Sequence, residues 1–240
     1  MFKAESQDKK AEVEFFARIV EEGKVVQVCP WNKCKLERAL GYLRELGYER
    51  EKSSKVRVLD LGCGPGDFTR HLIDMGFSPL GIDISRDLLK INKERNPDAF
   101  FVCGDAEDLP FNDASFDIVV CTFVLHHFNV HKQIINEAYR VMKHEGIFIS
   151  VEPNSWNPVT WYQHNLPFGK KKHEDSINER IFGLLYLKRF LSQWFEVLEW
   201  KTINFDFIKV LTPLEGIFER LFPVNLFGGS IVLYGRKKIK

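Results

Sequence analysis

The sequence has almost no net charge: 34 Lys and Arg stand against 33 Asp and Glu over 240 residues. Such a balance projects no long-range field toward nucleic acid or an anionic membrane surface, so nucleic acid is not an expected partner. Cysteine is scarce, five scattered residues, an odd number. Cys63, Cys103 and Cys121 fall in or just after apolar runs, where cysteine acts as a small hydrophobe. Cys29 and Cys34 are the one close pair, and they lack the second pair or nearby histidines that a zinc site requires, so no metal is expected. No apolar run reaches membrane-spanning length. The polar start MFKAESQDKK shows no signal peptide, and a cytoplasmic location is the expectation. Internal repeats and low-complexity tracts are also missing.

Two phosphate-binding signatures are absent as well. A dinucleotide fingerprint needs a third glycine three residues after the second. Here that position, counted from Gly64, is Asp67, whose carboxylate would oppose a pyrophosphate. No Gly-Lys-Ser/Thr of a Walker loop follows either.

What is present is Val56-Arg57-Val58-Leu59-Asp60-Leu61 running into Gly62-Cys63-Gly64-Pro65-Gly66. A short apolar run, a glycine turn and an amphipathic segment from Asp67 to Met75 read as strand, turn and helix. Glycines there permit positive φ and close approach of a ligand, and the following helix start adds unpaired N–H groups. With Asp60 at the strand end, the turn suits a ligand carrying a cationic group and no phosphate.

The rest of the chain alternates. A helix is expected over Ala11–Glu22, with Val13, Phe16, Ile19 and Val20 on one stripe, and another over Lys33–Leu46. Both read as cover for a sheet face; Phe16 or Trp31 as a lid over a ligand is the functional alternative. Strands are expected at 56–62, Pro79–Ile84, Phe100–Cys103, Ile118–Phe123 and Ile147–Val151. Helices are expected after Ser85, a good N-cap, as far as Arg95, and over His131–Lys143. Regular alternation with short connections implies parallel strands and right-handed crossovers. Asp60, Gly62, Asp83, Asp105, Cys121 and Thr122 then all fall at carboxyl ends of strands, where such sheets bind ligands.

After Glu152 the pattern breaks into an aromatic-rich insertion with a basic patch, Lys170–His173. A helix near Leu184–Trp194, a strand at Phe195–Thr202, an apolar stretch over 205–222 and a last strand at Ser230–Arg236 follow. The 205–222 stretch reads as core or homodimer packing rather than membrane contact, because Glu215 and Glu219 sit within it and the basic face of a membrane helix is missing.

VLDLGCGPGDFT resembles motif I of the class I S-adenosylmethionine-dependent methyltransferases, of the small-molecule type known as the methyltransferase-11 family. Gly81-Ile82-Asp83-Ile84-Ser85 resembles the acidic end of their second strand. Gly104–Phe111 resembles the adenine loop, and Phe116–Val120 leading to His126-His127 resembles strand four and its loop. The likeness covers about Lys55 to Glu152. It implies a doubly wound α/β fold, Rossmann-like, with seven mostly parallel strands in the order 3-2-1-4-5-7-6. It implies one domain over 1–240: cover helices at 1–54, a cofactor core at 55–152, an acceptor-binding insertion at 153–194 and C-terminal strands at 195–240.

The resemblance implies S-adenosylmethionine as cofactor and methyl transfer to a small-molecule or lipid-like acceptor. Asp83, with Ile84 beside it, would meet the ribose, and Asp105 and Ala106 the adenine. Asp60, directly or through water, and the backbone of Gly62, Cys63, Gly64, Cys121 and Thr122 would meet the methionyl end. His127, His126 and Glu152 are the candidate general bases, with Tyr162 and His164 behind them. Trp156, Trp161, Tyr162, Phe168 and Phe182 are candidates for an acceptor pocket or for plain packing. Two rival readings remain: a non-catalytic cofactor-binding scaffold or activator, and an enzyme that transfers some other group from the same cofactor.

Overall fold

The computed structural model describes residues 9–25, 39–48, 55–128, 131–166, 180–203, 226 and 228–239. Trp31, the Cys29/Cys34 pair, the basic patch, Phe168 and the 205–222 stretch lie outside the described residues, as do residues 33–38 of the expected second helix, of which 39–45 is helical.

The first described element is α1, Lys9–Glu21. The central alternation runs β1 (Arg57–Leu61), α2 (Asp67–Asp74), β2 (Ser78–Asp83), α3 (Arg86–Arg95), β3 (Phe100–Cys103) and β4 (Phe116–Thr122). A 3-10 turn, Leu125–His127, leads to α4 (His131–Val141) and β5 (Met142–Pro153). The chain continues through α5 (Pro158–Asn165), α6 (Leu184–Leu191), β6 (Phe195–Ile203) and β7 (Ser230–Lys237).

The strands form one sheet of seven in the order β3-β2-β1-β4-β5-β7-β6. β1 to β5 pair in parallel, and β7 runs antiparallel between β5 and β6. The parallel run follows from helices that cross over after β1, β2 and β4, which cover both faces and make the central strands mainly apolar. Alternate residues go to opposite faces. Leu59, Leu61, Val119, Cys121 and Phe148 pack toward α4 and α6. Val58, Ile118, Val120, Ile147 and Ile149 pack toward Ala39, Leu40, Leu43 and α2. Full burial of each such side chain contributes roughly 1.5–3 kcal/mol, so two filled faces fix the register of the strands between them. The Tyr234 hydroxyl ties the second face to the 39–45 helix by donating to the Ala39 carbonyl.

Local signals end where the chemistry predicts. Ser85 caps α3 by accepting from the Leu88 N–H at 3.3 Å. Asn157 caps α5 by accepting from Val159 and Thr160, with Pro158 in the first turn. Most bounds differ from the expectation by one to three residues, and the largest difference is at the start of β5. α4 stops at Val141 and β5 begins at Met142, because buried Met142 pairs with buried Phe116 and extends both strands. The register then shifts between Phe116 and Ile118, and Glu145 takes φ 60 just before Gly146. An irregularity of this kind leaves no apolar alternation in the sequence.

Candidate functional site

The turn after β1 is built on three glycines with positive φ: Gly62 at 71°, Gly64 at 46° and Gly66 at 94°. Two of them have no room for a side chain. A Cβ on Gly62 would stand 2.3 Å from Val124 Cγ2, and one on Gly66 would stand 2.1 Å from Asn92 Oδ1. Gly64 differs: a Cβ there would meet nothing within 4 Å, so its face opens into space. From α3, Asn92 donates to the Gly64 carbonyl at 3.1 Å and Asn96 to the Gly66 carbonyl at 3.1 Å. These buried amides hold the turn in place, yet they read in the sequence as ordinary helix polars.

Asp83, ending β2, accepts the Gly64 N–H at 2.9 Å on one oxygen and the Ser85 N–H at 2.8 Å on the other. Burial pushes its carboxyl up; the two N–H bonds and nearby His127 pull it back. Asp60 lies deeper, fully buried behind the turn. Its Oδ2 accepts from the Thr69 hydroxyl at 2.6 Å, while its Oδ1 is buried with no hydrogen-bond partner. Burial pushes the Asp60 carboxyl up to about 7, against the Thr69 bond, with Asp83 adding repulsion.

The loop after β3 is held from α4. Arg140 donates to the Phe111 carbonyl at 2.7 Å and to the Leu109 carbonyl at 3.0 Å, while Glu137 accepts the Leu109 N–H at 2.8 Å. Asp105 accepts the Glu107 N–H at 2.9 Å through Oδ1. Its Oδ2 is ion-paired with Lys9 at the start of α1. The same ammonium lies 2.8 Å from Glu107.

The loop after β4 hangs on Glu152. This carboxylate, at the end of β5, is fully buried. Oε1 accepts the Val124 and Leu125 N–H groups at 3.2 and 2.9 Å, and Oε2 accepts the His126 N–H at 3.3 Å. Oε2 also lies 2.7 Å from His126 Nδ1. Phe123, just before, takes φ 55, a strained value for an aromatic residue, and remains 39% exposed.

These strand ends and α1 enclose a cavity of about 260 Å³. Of the candidates read from sequence, Gly62, Cys63, Gly64, Asp83, Ile84, Asp105, Ala106, Thr122 and His127 line it. Asp60, Cys121, His126 and Glu152 lie behind the wall and do not. Trp156 and Phe182 pack against the core, while Trp161 and Tyr162 are exposed; none of the four lines the cavity. Phe16 does line it, as the lid alternative expects. Glu12 is a lining carboxylate that sequence reasoning passed over, because a glutamate on an amphipathic helix reads as solvated. Among the described residues the lining holds four carboxylates, Glu12, Asp67, Asp83 and Asp105, and no Lys or Arg; Lys9 and Arg95 pair with Asp105 and Asp67 from outside it. That wall favours a cation and disfavours a phosphate.

A doubly wound sheet of this order, with a glycine turn and two acidic strand ends around one cavity, defines the Rossmann-like methyltransferase class of fold. Comparison with known proteins gives the family. The family model described as a methyltransferase domain matches residues 59–150. A demethylmenaquinone methyltransferase of Renibacterium salmoninarum is 40% identical over 96 residues, 40% of this chain and 40% of the relative. An uncharacterized protein of Methanocaldococcus jannaschii is 36% identical over 185 residues, 72% of this chain and 64% of the relative. Among solved structures, a methyltransferase of Thermotoga maritima named as S-adenosylmethionine-dependent aligns with a TM-score of 0.63 at 22% identity. That alignment covers 94% of this chain and 99% of the other. Residues 59–150 are therefore matched as a methyltransferase domain, on the fold of a solved S-adenosylmethionine-dependent methyltransferase. The match spans about two fifths of the demethylmenaquinone relative's length. Among the described residues no helix is long and apolar enough to cross a membrane.

Proposed function

We propose that the protein transfers the methyl group of S-adenosylmethionine to a small-molecule or lipid-like acceptor. The observation that carries this reading is the cavity wall: among the described residues, four carboxylates and no Lys or Arg line the space around an open glycine turn. S-adenosylmethionine is a sulfonium and an ammonium with no phosphate, and the residues present fit it. Asp83 offers acceptor oxygens to a ribose diol. Ile84, Asp105 and Ala106 form the adenine side. The missing side chain of Gly64 leaves the backbone approachable at the methionyl end, with Gly62, Cys63 and the backbone of Thr122 around it. Asp60, with one buried oxygen lacking a partner, fits an ammonium reached directly or through water.

The cofactor supplies an electrophilic methyl group on sulfur. The chain's own residues align the acceptor with it and exclude water. Phe16, Phe123 and Phe128 give the cavity an aromatic side, which supports an apolar or aromatic acceptor. A relative named for demethylmenaquinone supports the same class. Of the three candidate bases only His127 lines the cavity, so it is the group that would take a proton from an acceptor that must lose one.

Methyl-labelled S-adenosylmethionine and a cell extract test this. Label is expected in the metabolite or organic-soluble fraction. Label in protein or nucleic acid would overturn the acceptor class. No label in any fraction, with cofactor binding shown by calorimetry, would favour a scaffold.

A further inference from the structure

We infer that Glu12 is a positioning residue for His127: docking of α1 holds the imidazole as its Nδ1–H tautomer and leaves Nε2 as the base. The inference rests on the proposed methyl transfer and adds a residue to it. Three side chains of α1, spaced three and four apart, share one face. Lys9 reaches the loop after β3 through Asp105 and Glu107. Phe16 meets the His127 ring edge-on, centroids 5.7 Å apart. Between them Glu12 is 1% exposed, and its Oε2 lies 3.6 Å from His127 Nδ1. A carboxylate taken out of water is costly unless a charge or hydrogen bond answers it. The contact is longer than a hydrogen bond; catalytic contacts in ligand-free sites are commonly long and tighten when the site fills.

The same turn carries the arrangement twice. His126 turns Nδ1 to Glu152 at 2.7 Å, and both are buried behind the wall. His127 turns Nδ1 to Glu12 and lines the cavity. One carboxylate comes from the sheet and is permanent; the other comes from α1 and is present only when that helix is docked. The partner at one ring nitrogen fixes which nitrogen carries the proton. Among the described residues, the other charged or titratable groups around His127 include Asp83 on β2 and His126, whose ring centroid is 4.2 Å away, with Glu152 behind it.

In the step, an acceptor X–H uses a lone pair of X to form the X–C bond. The C–S pair leaves with sulfur, which becomes a neutral thioether. The proton of X goes to His127 Nε2, and the resulting imidazolium keeps its Nδ1–H against the Glu12 carboxylate. Charge moves from sulfonium to imidazolium, and the buried carboxylate stabilises it.

Long-range 1H–15N spectra of the histidines, with S-adenosylhomocysteine as the probe ligand, decide the inference without turnover. The resonances of His127, assigned by His127→Gln, should show the Nδ1–H tautomer in the wild type and lose it in Glu12→Gln. An Nε2–H tautomer in the wild type, or an unchanged tautomer in Glu12→Gln, overturns it. In the label assay Glu12→Gln should lower turnover roughly 100-fold with little change in KM for the cofactor. Glu12→Asp should recover most of the loss, and Glu12→Gln/His127→Gln should be no slower than His127→Gln alone. Full activity of Glu12→Gln also overturns the inference. A wild type that transfers no label while its tautomer changes as expected overturns the methyl-transfer reading and leaves the Glu12 assignment standing.

Discussion

At the scale of single residues, Asp60 couples folding to pH. Its carboxyl is fully buried and sits at about 7 in the folded chain, against about 3.9 in an unfolded one. Between those values the native state holds a proton that the unfolded state has released. Stability therefore falls as pH rises from about 4 to about 7 and is flat beyond, by on the order of 4 kcal/mol for this group. Asp83 and Asp67 are also pushed up by burial and add in the same direction, so a variant is needed to isolate Asp60. Asp60→Asn removes the titration. Urea denaturation at pH 5 and pH 8 should show the wild type losing about 2–3 kcal/mol more than the variant across that interval. Parallel losses in both proteins would mean that Asp60 is ionised throughout.

At the scale of elements, the loop after β4 owes its shape to one carboxylate on β5. Glu152 accepts three consecutive backbone N–H groups and faces the His126 ring. Glu152→Gln keeps one acceptor oxygen but sets an amide N–H against the His126 donors. Leaving buried donors unanswered costs a few kcal/mol, so a loss of about 3 kcal/mol in urea is expected, with faster amide exchange at Val124–His126. If Glu152 were the base, turnover would vanish and stability would not change. This contrast shows what a sequence does and does not make legible. VRVLDL, the glycine turn and the alternation that follows are local patterns, and they placed the carboxyl ends of the five parallel strands to within two residues, while the sheet order came with the family resemblance those motifs carry. The job of Glu152 is not local: its partners lie 26 to 28 residues away. Asn92 and Asn96 support the turn from 28 and 30 residues away. In α1 the stripe of Val13, Phe16, Ile19 and Val20 announces a buried face, but which surface it covers is a tertiary fact. Glu12 sits beside that stripe, and only the cavity reveals its side chain as part of a wall.

At the scale of the whole molecule, the sheet is a fixed platform and α1 is a cover that, among the described residues, is held by side-chain contacts rather than strand pairing. The strands of the platform pair along their lengths and are filled on both faces. α1 is amphipathic with only Glu12 fully buried, and its described anchors include the Lys9 pair to Asp105 and Glu107. A partly exposed ion pair contributes about 1 kcal/mol or less, so α1 should open far more often than the sheet. A ligand that fills the cavity beneath it binds the closed state better and adds up to about 2.7 kcal/mol at a concentration one hundred times its Kd. Hydrogen exchange should therefore show α1 amides exchanging well before those of β4 and β5, and slowing when S-adenosylhomocysteine is added. Lys9→Ala should speed α1 exchange and weaken the ligand severalfold while leaving β4 and β5 untouched. Equal protection of α1 and the sheet without ligand would make α1 a permanent wall.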